Sequence, residues 1–348
     1  MMEERSDDVP LQPPAPVIGI IYNLKKGLDC EVPDAEAECD NIETVYAIRD
    51  ALESGGYQTV LLEADATLPQ RLRETPIDMA FNIAEGLCGR GREAQIPALL
   101  NMLGIPFTGS DETTLCVSLD KALTKRLLTT YHVRTPKYVV FDGETSPHLH
   151  GMRFPVILKP NAEGSSKGIS DVSIAENMQE LKALVKRNTQ LYHQPMLAEE
   201  YIEGREFTVG ILGNGKDAVA FPPMEILFRR STQASYHVYD YHVKQDYQNY
   251  IDYKCPADIP NDVQTKMTKT ALKIFHALGC RDFARVDFRV SEDNKVYFIE
   301  INPLPGLAPG YSDFPMLAEF SGVPYRQLVL SVLETGAARC GLFQGGKR

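Results

Sequence analysis

The sequence predicts an α/β protein whose N-terminal domain is built on a parallel sheet. Three observations predict it. From Val17 onward, apolar runs of strand length alternate with longer stretches of helical character, the pattern of βαβ units. Near the C-terminal end, two half-buried strands flank a short turn, Ser291–Lys295. The 348 residues, 43% hydrophobic and 24% charged, give room for two or three globular domains with a sizeable core.

The elements follow in order. Residues 1–16 end in a proline-rich segment and read as a disordered lead-in. Val17–Tyr22 is a buried strand. Asn41–Leu52 is a helix, with Gly55 and Gly56 where a helix should stop. Thr59–Glu63 and Met79–Ile83 are the next strands, and the Gly-rich turn Glu85–Arg92 follows the second. Ligands gather at the carboxyl ends of strands in such sheets, where this turn would lie. Leu119–Leu128 is helical, with Leu119, Leu123 and Leu127 at four-residue spacing. Pro155–Lys159 is a short strand before a flexible loop, Glu163–Ile169, and Ala175–Arg187 is a helix. Met196–Ile202 and Glu206–Leu212 are strands, and helices follow at Val263–Leu278 and Pro324–Glu334. The expected domains are 17–110, 111–205 and 206–348.

Composition excludes several function classes. A net charge of -11 counts against general nucleic-acid binding and against an anionic membrane surface. No apolar run approaches the length of a membrane span. Met1–Asp8 is acidic and lacks an apolar signal segment. The seven cysteines are scattered singly, as in a cytoplasmic protein with reduced thiols.

The chemistry concentrates in the last strand pair. In Phe283–Val290, Arg285, Asp287 and Arg289 share one face. In Lys295–Asn302, Glu300 and Asn302 fall on the same face as Val296 and Phe298. A hairpin folded about Asp293 places Asp287 opposite Ile299, beside Glu300. Two carboxylates and an amide oxygen, with no His or Cys cluster nearby, suit Mg²⁺ bound together with substrate phosphates. A surface hairpin with solvated charges is the competing reading. The Asn302-Pro-Leu-Pro-Gly306 tail favours the site, because it ends the strand abruptly and stiffens the backbone beside the acids.

Other segments supply phosphate-binding groups. Glu163-Gly-Ser-Ser-Lys-Gly168 offers backbone N–H groups, the hydroxyls of Ser165 and Ser166, and an ammonium. It is not a P-loop, which needs Gly-Lys-Ser/Thr opening a helix. Lys159 lies between an apolar strand and a proline and points into a cleft; Lys121 carries less information by itself. The stretch Glu199–Glu206 crosses from one strand to the next, where backbone can meet an adenine edge and a carboxylate can meet a ribose. Such an acidic run is also the composition of a solvated face.

Taken in order, Leu-Asp-Lys121, Phe-Pro-Val-Ile-Leu-Lys159-Pro, Glu-Gly-Ser-Ser-Lys-Gly168, Glu199-Glu-Tyr-Ile-Glu-Gly-Arg-Glu206, Arg285-Val-Asp287 and Glu300-Ile-Asn302-Pro-Leu-Pro-Gly306 closely resemble the ATP-grasp superfamily, and within it the D-alanine–D-alanine ligases. Leu103–Ser110 strengthens the likeness, which extends from Val17 to about Leu333. The resemblance implies an ATP-grasp fold of three α/β domains, with ATP between the second and third. It implies that Lys121 and Lys159 hold the phosphates, that Glu199 and the backbone near Ile202 meet adenine, and that Glu206 meets the ribose. Asp287, Glu300 and Asn302 would bind two Mg²⁺, for which Mn²⁺ can substitute. Lys244 would lie near the γ-phosphate, and Ser165 beside the first substrate. Arg285 and the Gly306 backbone would stabilise a tetrahedral intermediate.

The implied reaction joins a carboxylate to an amine through an acylphosphate, releasing ADP and phosphate, in support of peptidoglycan synthesis. The implied partners are small amino-acid or carboxylate and amine substrates, with neither nucleic acid nor membrane, and a homodimer as is common in the family. The departures concern substrate recognition. The usual first-strand Gly-Gly-x-Ser-x-Glu-x-Glu segment is absent, leaving Glu36 or Glu38 as the carboxylate for the first substrate's ammonium. Glu85 stands where the family has a histidine, and Gln245 where it has a tyrosine, so the usual Glu–Ser–Tyr triad is broken. Tyr311 or Ser312 would reach a substrate carboxylate. A ligase for a different amino acid or amine, a non-catalytic ATP-binding module and a kinase-like phosphotransferase are the competing functions.

Overall fold

A computed structural model describes residues 14–27, 36, 38–142, 149, 151–164, 173–229, 236 and 247–342. Most of the expected lead-in, 1–13, lies outside these; residues 14–16 have no regular structure.

The N-terminal strands β1 (Val17–Tyr22), β2 (Gln58–Glu63) and β3 (Met79–Asn82) form a parallel sheet in the order β2-β1-β3. Strand alternation divides β1 between two cores. Ile18, Ile20 and Tyr22 face one cluster and Ile21 the other. Gly19 faces the second side without a side chain; a Cβ there would stand 2.6 Å from the Ile77 side chain. Helices α2 (Leu68–Glu74) and α3 (Gln95–Leu103) cover that side, and α1 (Ile42–Ser54) covers the first. In the order 2-1-3 the chain steps from β1 to one neighbour and then crosses to the other side of β1, a reversal that sets a crevice at the carboxyl ends of β1 and β3.

The expected helix Leu119–Leu128 is two helices, α4 (Glu112–Leu119) and α5 (Lys121–Thr130). Asp120 breaks the run. Its backbone is extended and its carboxylate caps α5 by accepting from the Leu123 N–H at 2.9 Å. Leu119 therefore closes α4 and does not stack above Leu123, while Lys121 takes the first position of α5. Strands β4 (Tyr138–Phe141), β5 (Val156–Pro160), β6 (Ile174–Ala175) and β7 (Met196–Glu200) form an antiparallel sheet in the order β4-β7-β5-β6, with α6 (Met178–Tyr192) packed on it.

The second antiparallel sheet has six strands: β8 (Arg205–Leu212), β9 (Val219–Ala220), β10 (Met224–Phe228), β11 (Ile251–Lys254), β12 (Phe283–Val290) and β13 (Val296–Asn302). A short helix, α7 (Tyr247–Tyr250), precedes β11, and α8 (Asn261–Ala277) covers the sheet. Two helices follow, α9 (Asp313–Phe320) and α10 (Tyr325–Arg339). They return to the N-terminal sheet: Leu317, Leu328, Val332 and Leu333 share a core with Ile18, Ile48 and Leu52. None of the described helices is long and apolar enough to cross a membrane.

Asp282, fully buried before β12, ties this assembly together. It accepts from the Gly109 N–H at 2.8 Å, the Asn214 amide at 2.7 Å, and Arg339 Nε and Nη2 at 2.9 and 2.8 Å. Removing Arg339 takes away the one cation in this set and leaves the buried Asp282 charge with only the Gly109 and Asn214 donors. Arg339→Ala should therefore lower unfolding free energy by about 3 kcal/mol, read from urea denaturation; an unchanged midpoint would contradict this role for Asp282.

Candidate active site

The register of the last strand pair differs from simple alternation. A β-bulge at Ile299 places Asp287 opposite Glu300, where unbroken pairing would put Ile299. The extra residue reverses the faces beyond it. Val296, Phe298 and Ile301 enter the core beneath α8, while Glu300 and Asn302 emerge on the opposite face with Asp287. This corrects the expectation that Glu300 and Asn302 share a face with Val296 and Phe298.

The bulge also frees a carbonyl. Ile299 O accepts from Lys125 Nζ at 2.9 Å, and Lys125, which sequence reasoning missed, is wholly buried. Its ammonium lies 3.2 Å from Glu199, which pairs at the same distance with Lys159. Thr135 Oγ1 accepts a second hydrogen bond from Lys125 at 2.8 Å. Burial lowers the Lys125 pKa to about 8, although Glu199 opposes that change. The signal that could have found it is its spacing: Lys121 and Lys125 are one turn apart on α5. Lys159 is buried beside the cleft with Glu199, so the Glu199 side chain is committed to two lysines.

Lys121 donates to Glu163 O and lies 3.4 Å from Glu300 Oε2. Burial acts to raise the Glu300 pKa, but Lys121, Lys159 and Arg285 together bring it down to about 2. Burial raises the Asp287 pKa against the opposing pull of Arg285. Asp287 accepts from Thr208 Oγ1 at 2.7 Å, from Asn302 Nδ2 at 3.2 Å, and from Arg285 through two 3.0 Å bonds. A second carboxylate, Asp313, holds Arg285 from α9 at 3.2 Å. The structure thus brings Asp287, Glu300 and Asn302 together as a hard-oxygen donor set that fits Mg²⁺. Glu206 stands 3.6 Å from Arg289. Burial pushes its carboxyl up to about 7. Ile202 lies in the connection from β7 to β8 and is half-buried.

Glu85, Gly306, Tyr311 and Ser312 line one cavity of about 100 Å³ with Lys121, Arg285, Glu300 and Asn302. Gly306 is needed beside Ser312, since a Cβ there would stand 2.8 Å from Ser312 Oγ. Ser165, Ser166, Lys244 and Gln245 lie outside the described residues.

The cavity's other end is built where the loops after β1 and β3 meet. Arg92 forks onto Glu38, with Nη2–Oε1 at 2.6 Å and Nε–Oε2 at 3.1 Å, and donates to Ala162 O at 3.0 Å. Arg92 also lies 3.3 Å from Glu163, and Glu38 Oε1 accepts from the Gly164 N–H at 2.6 Å. This clamp ties the N-terminal loops to Ala162, Glu163 and Gly164. Gly86 fits against it because a Cβ would overlap the Arg92 carbonyl. Glu36, the alternative to Glu38, accepts from the Lys26 and Gly27 N–H groups at 2.6 and 2.8 Å. Glu93, also missed from sequence, joins Glu38 and Glu85 in a cluster whose carboxylate oxygens lie within 4.8 Å of one another.

Comparison with known proteins agrees with this architecture. The family model described as D-ala D-ala ligase C-terminus matches residues 134–334. A D-alanine–D-alanine ligase of Methylacidiphilum infernorum is 36% identical over 308 residues, covering 88% of this chain and 93% of its own. One from Bordetella petrii is 33% identical over 296 residues, covering 84% and 86%. The crystal structure of a D-alanine–D-alanine ligase from Bacillus anthracis, complexed with ATP, superposes with a TM-score of 0.73 at 22% identity, covering 93% of this chain and 98% of that one.

Two outcomes follow from the buried charges. Lys125→Met leaves the Ile299 carbonyl without its donor and Glu199 with one cation, and should cost about 2–3 kcal/mol of stability in urea denaturation. Burial raises the Asp40 pKa from 3.8 to about 7. The folded state therefore binds the proton more tightly than the unfolded chain, and Asp40's contribution to stability is lost as pH rises from about 4 through 7. Asp40→Asn should gain stability over the wild type at pH 8 and gain much less at pH 4; equal differences at both pH values would contradict this.

Proposed function

Because this chain belongs to the D-alanine–D-alanine ligase family, we propose that it is an ATP-dependent carboxylate–amine ligase of that type. The observation that carries this reading is the convergence of Lys121 and Lys159 with Asp287, Glu300 and Asn302 beside a cavity of about 100 Å³. Lys121 and Lys159 bind the phosphates of ATP, and the fixed pairing of Lys159 with Glu199 holds its ammonium in place before substrate arrives. Backbone groups near Ile202 receive the adenine edge, and Glu206 the ribose. Since the Glu199 side chain is held by two lysines, its part at the adenine is to support the strand end.

Asp287, Glu300 and Asn302 would hold two Mg²⁺, which supply charge neutralisation for in-line phosphoryl transfer when bound. The first substrate's carboxylate attacks the γ-phosphorus, forming an acylphosphate as ADP leaves. The second substrate's amine then attacks the acyl carbon, phosphate departs and the amine loses a proton. Arg285, oriented by Asp287 and Asp313, stabilises the oxyanion formed in that second step, together with the Gly306 N–H. Ser165 and Lys244 act near the transferred phosphoryl group. Tyr311 and Ser312 bind the second substrate, and Glu85 and Gln245 shape the first-substrate region. The reaction takes place in the cytoplasm and provides a dipeptide for peptidoglycan.

The test is ADP release with D-alanine, with dipeptide detected by mass. Lys159→Met and Glu300→Ala should each lower kcat by about 10²-fold or more. ATP binding without turnover of any amino acid would favour the non-catalytic module, and a phosphorylated product without ligation would favour the phosphotransferase.

A further inference from the structure

Arg289 has no part in the chemistry described so far, yet it is buried on the cleft side of β12, two residues beyond Asp287. Strand pairing sets it between Glu206 on β8 and Tyr297 on β13. Its guanidinium stands over the Tyr201 ring, 4.6 Å from the centroid, and 3.6 Å from Glu206 Oε2. Tyr201 is itself tied to the four-stranded sheet, where its N–H donates to Pro155 O at 3.0 Å just before β5. At Gly204 the β7–β8 connection turns back with positive φ, and a Cβ there would overlap the Val290 carbonyl. The connection therefore closes against the end of β12, beside Arg289. Among the described residues, Arg289 is the one ion-pair partner of the Glu206 carboxylate, which accepts no hydrogen bond. Burial raises that carboxyl, and Arg289 is the strongest opposing pull. A carboxylate steadied by one cation, with its lone pairs uncommitted, is ready to accept from hydroxyl donors. A lysine could supply the charge, but only a planar guanidinium can lie on an aromatic ring and face a carboxylate at once.

We propose that Arg289 is a positioning residue for the nucleotide: braced on Tyr201, it fixes the Glu206 carboxylate to accept from the ribose hydroxyls, and so makes those hydroxyls a requirement for tight binding. The proposal rests on the reading of Glu206 as the ribose residue and names the residue that makes Glu206 selective. A cation that only neutralised a buried acid would act alike on nucleotides with and without the hydroxyls. The brace on Tyr201 also joins the two sheets at the nucleotide end of the cleft, since Tyr201 is held from β5 and Arg289 belongs to β12.

The test is calorimetric titration of ADP and 2′,3′-dideoxyADP into the full-length protein with Mg²⁺ present. Neither an amino acid nor turnover is involved, so the result is independent of which substrates are joined. The wild type should bind ADP about 10- to 100-fold more tightly than the dideoxy nucleotide, the range for hydrogen bonds to a charged group. Arg289→Ala should bring that ratio down to about threefold or less. Glu206→Gln should do the same, and the double variant should lose no more of the ratio than either change alone, because both remove one interaction. Arg289→Lys keeps a buried charge and guards against misfolding as the cause; its ratio should fall as well, since lysine cannot stack on Tyr201 and face Glu206 together. An unchanged ratio in Arg289→Ala and Arg289→Lys, with or without equal weakening of both nucleotides, would overturn the proposal and leave Arg289 a counter-charge. A wild type that binds both nucleotides equally would overturn it together with the ribose role of Glu206. A wild type that binds neither would overturn it and the ligase reading alike. A ratio that depends on Arg289, in a protein releasing no ADP with any pair of amino acids, would keep the proposal and discard the ligase reading.

Discussion

The placement of the acidic strand depends on one buried contact set: Glu199 between Lys125 and Lys159, with Lys125 reaching on to the bulged carbonyl of Ile299. One carboxylate and one ammonium thereby join β7 of the four-stranded sheet to β13 of the six-stranded sheet. Buried ions are tolerable only when each finds compensation, so neither sheet can shift far without isolating a charge. The same bulge that frees the carbonyl turns Glu300 and Asn302 toward Asp287. Position and charge at the cleft are therefore consequences of a single register shift.

Much of the fold was legible because hydrophobic period reports it directly. β1 lies where its apolar run lies, and the strands at Met79, Glu206 and Phe283 follow their patterns. The interruption at Asp120 was legible in principle, since Asp is a good N-cap, but the four-residue leucine spacing across it suggested continuity. The bulge was not legible. Phe298, Ile299 and Ile301 are all apolar, and nothing in their order marks which one is left out of pairing.

Within the site, the residues carried by ordered motifs could be identified from sequence: Lys121, Lys159, Arg285, Asp287, Glu300 and Asn302 meet around one cleft. The acidic end of the cavity could not be assembled that way. Glu38 and Glu93 meet only because strand order 2-1-3 sets the carboxyl ends of β1 and β3 side by side, and linear spacing does not contain strand order. Arg92 looked like one residue of a glycine-rich turn, while in space it joins that turn to Ala162 and Glu163.

The return of α10 to the first sheet has a consequence during synthesis. Val45, Ile48 and Leu52 of α1 share their core with Leu328, Val332 and Leu333. A ribosome adding about 5–20 residues per second needs on the order of tens of seconds to pass from one set to the other. For that interval the nascent first domain has one covered face and one incomplete face. The newborn chain thus carries an apolar surface whose covering residues, from Phe221 and Phe283 to Val332, are made last.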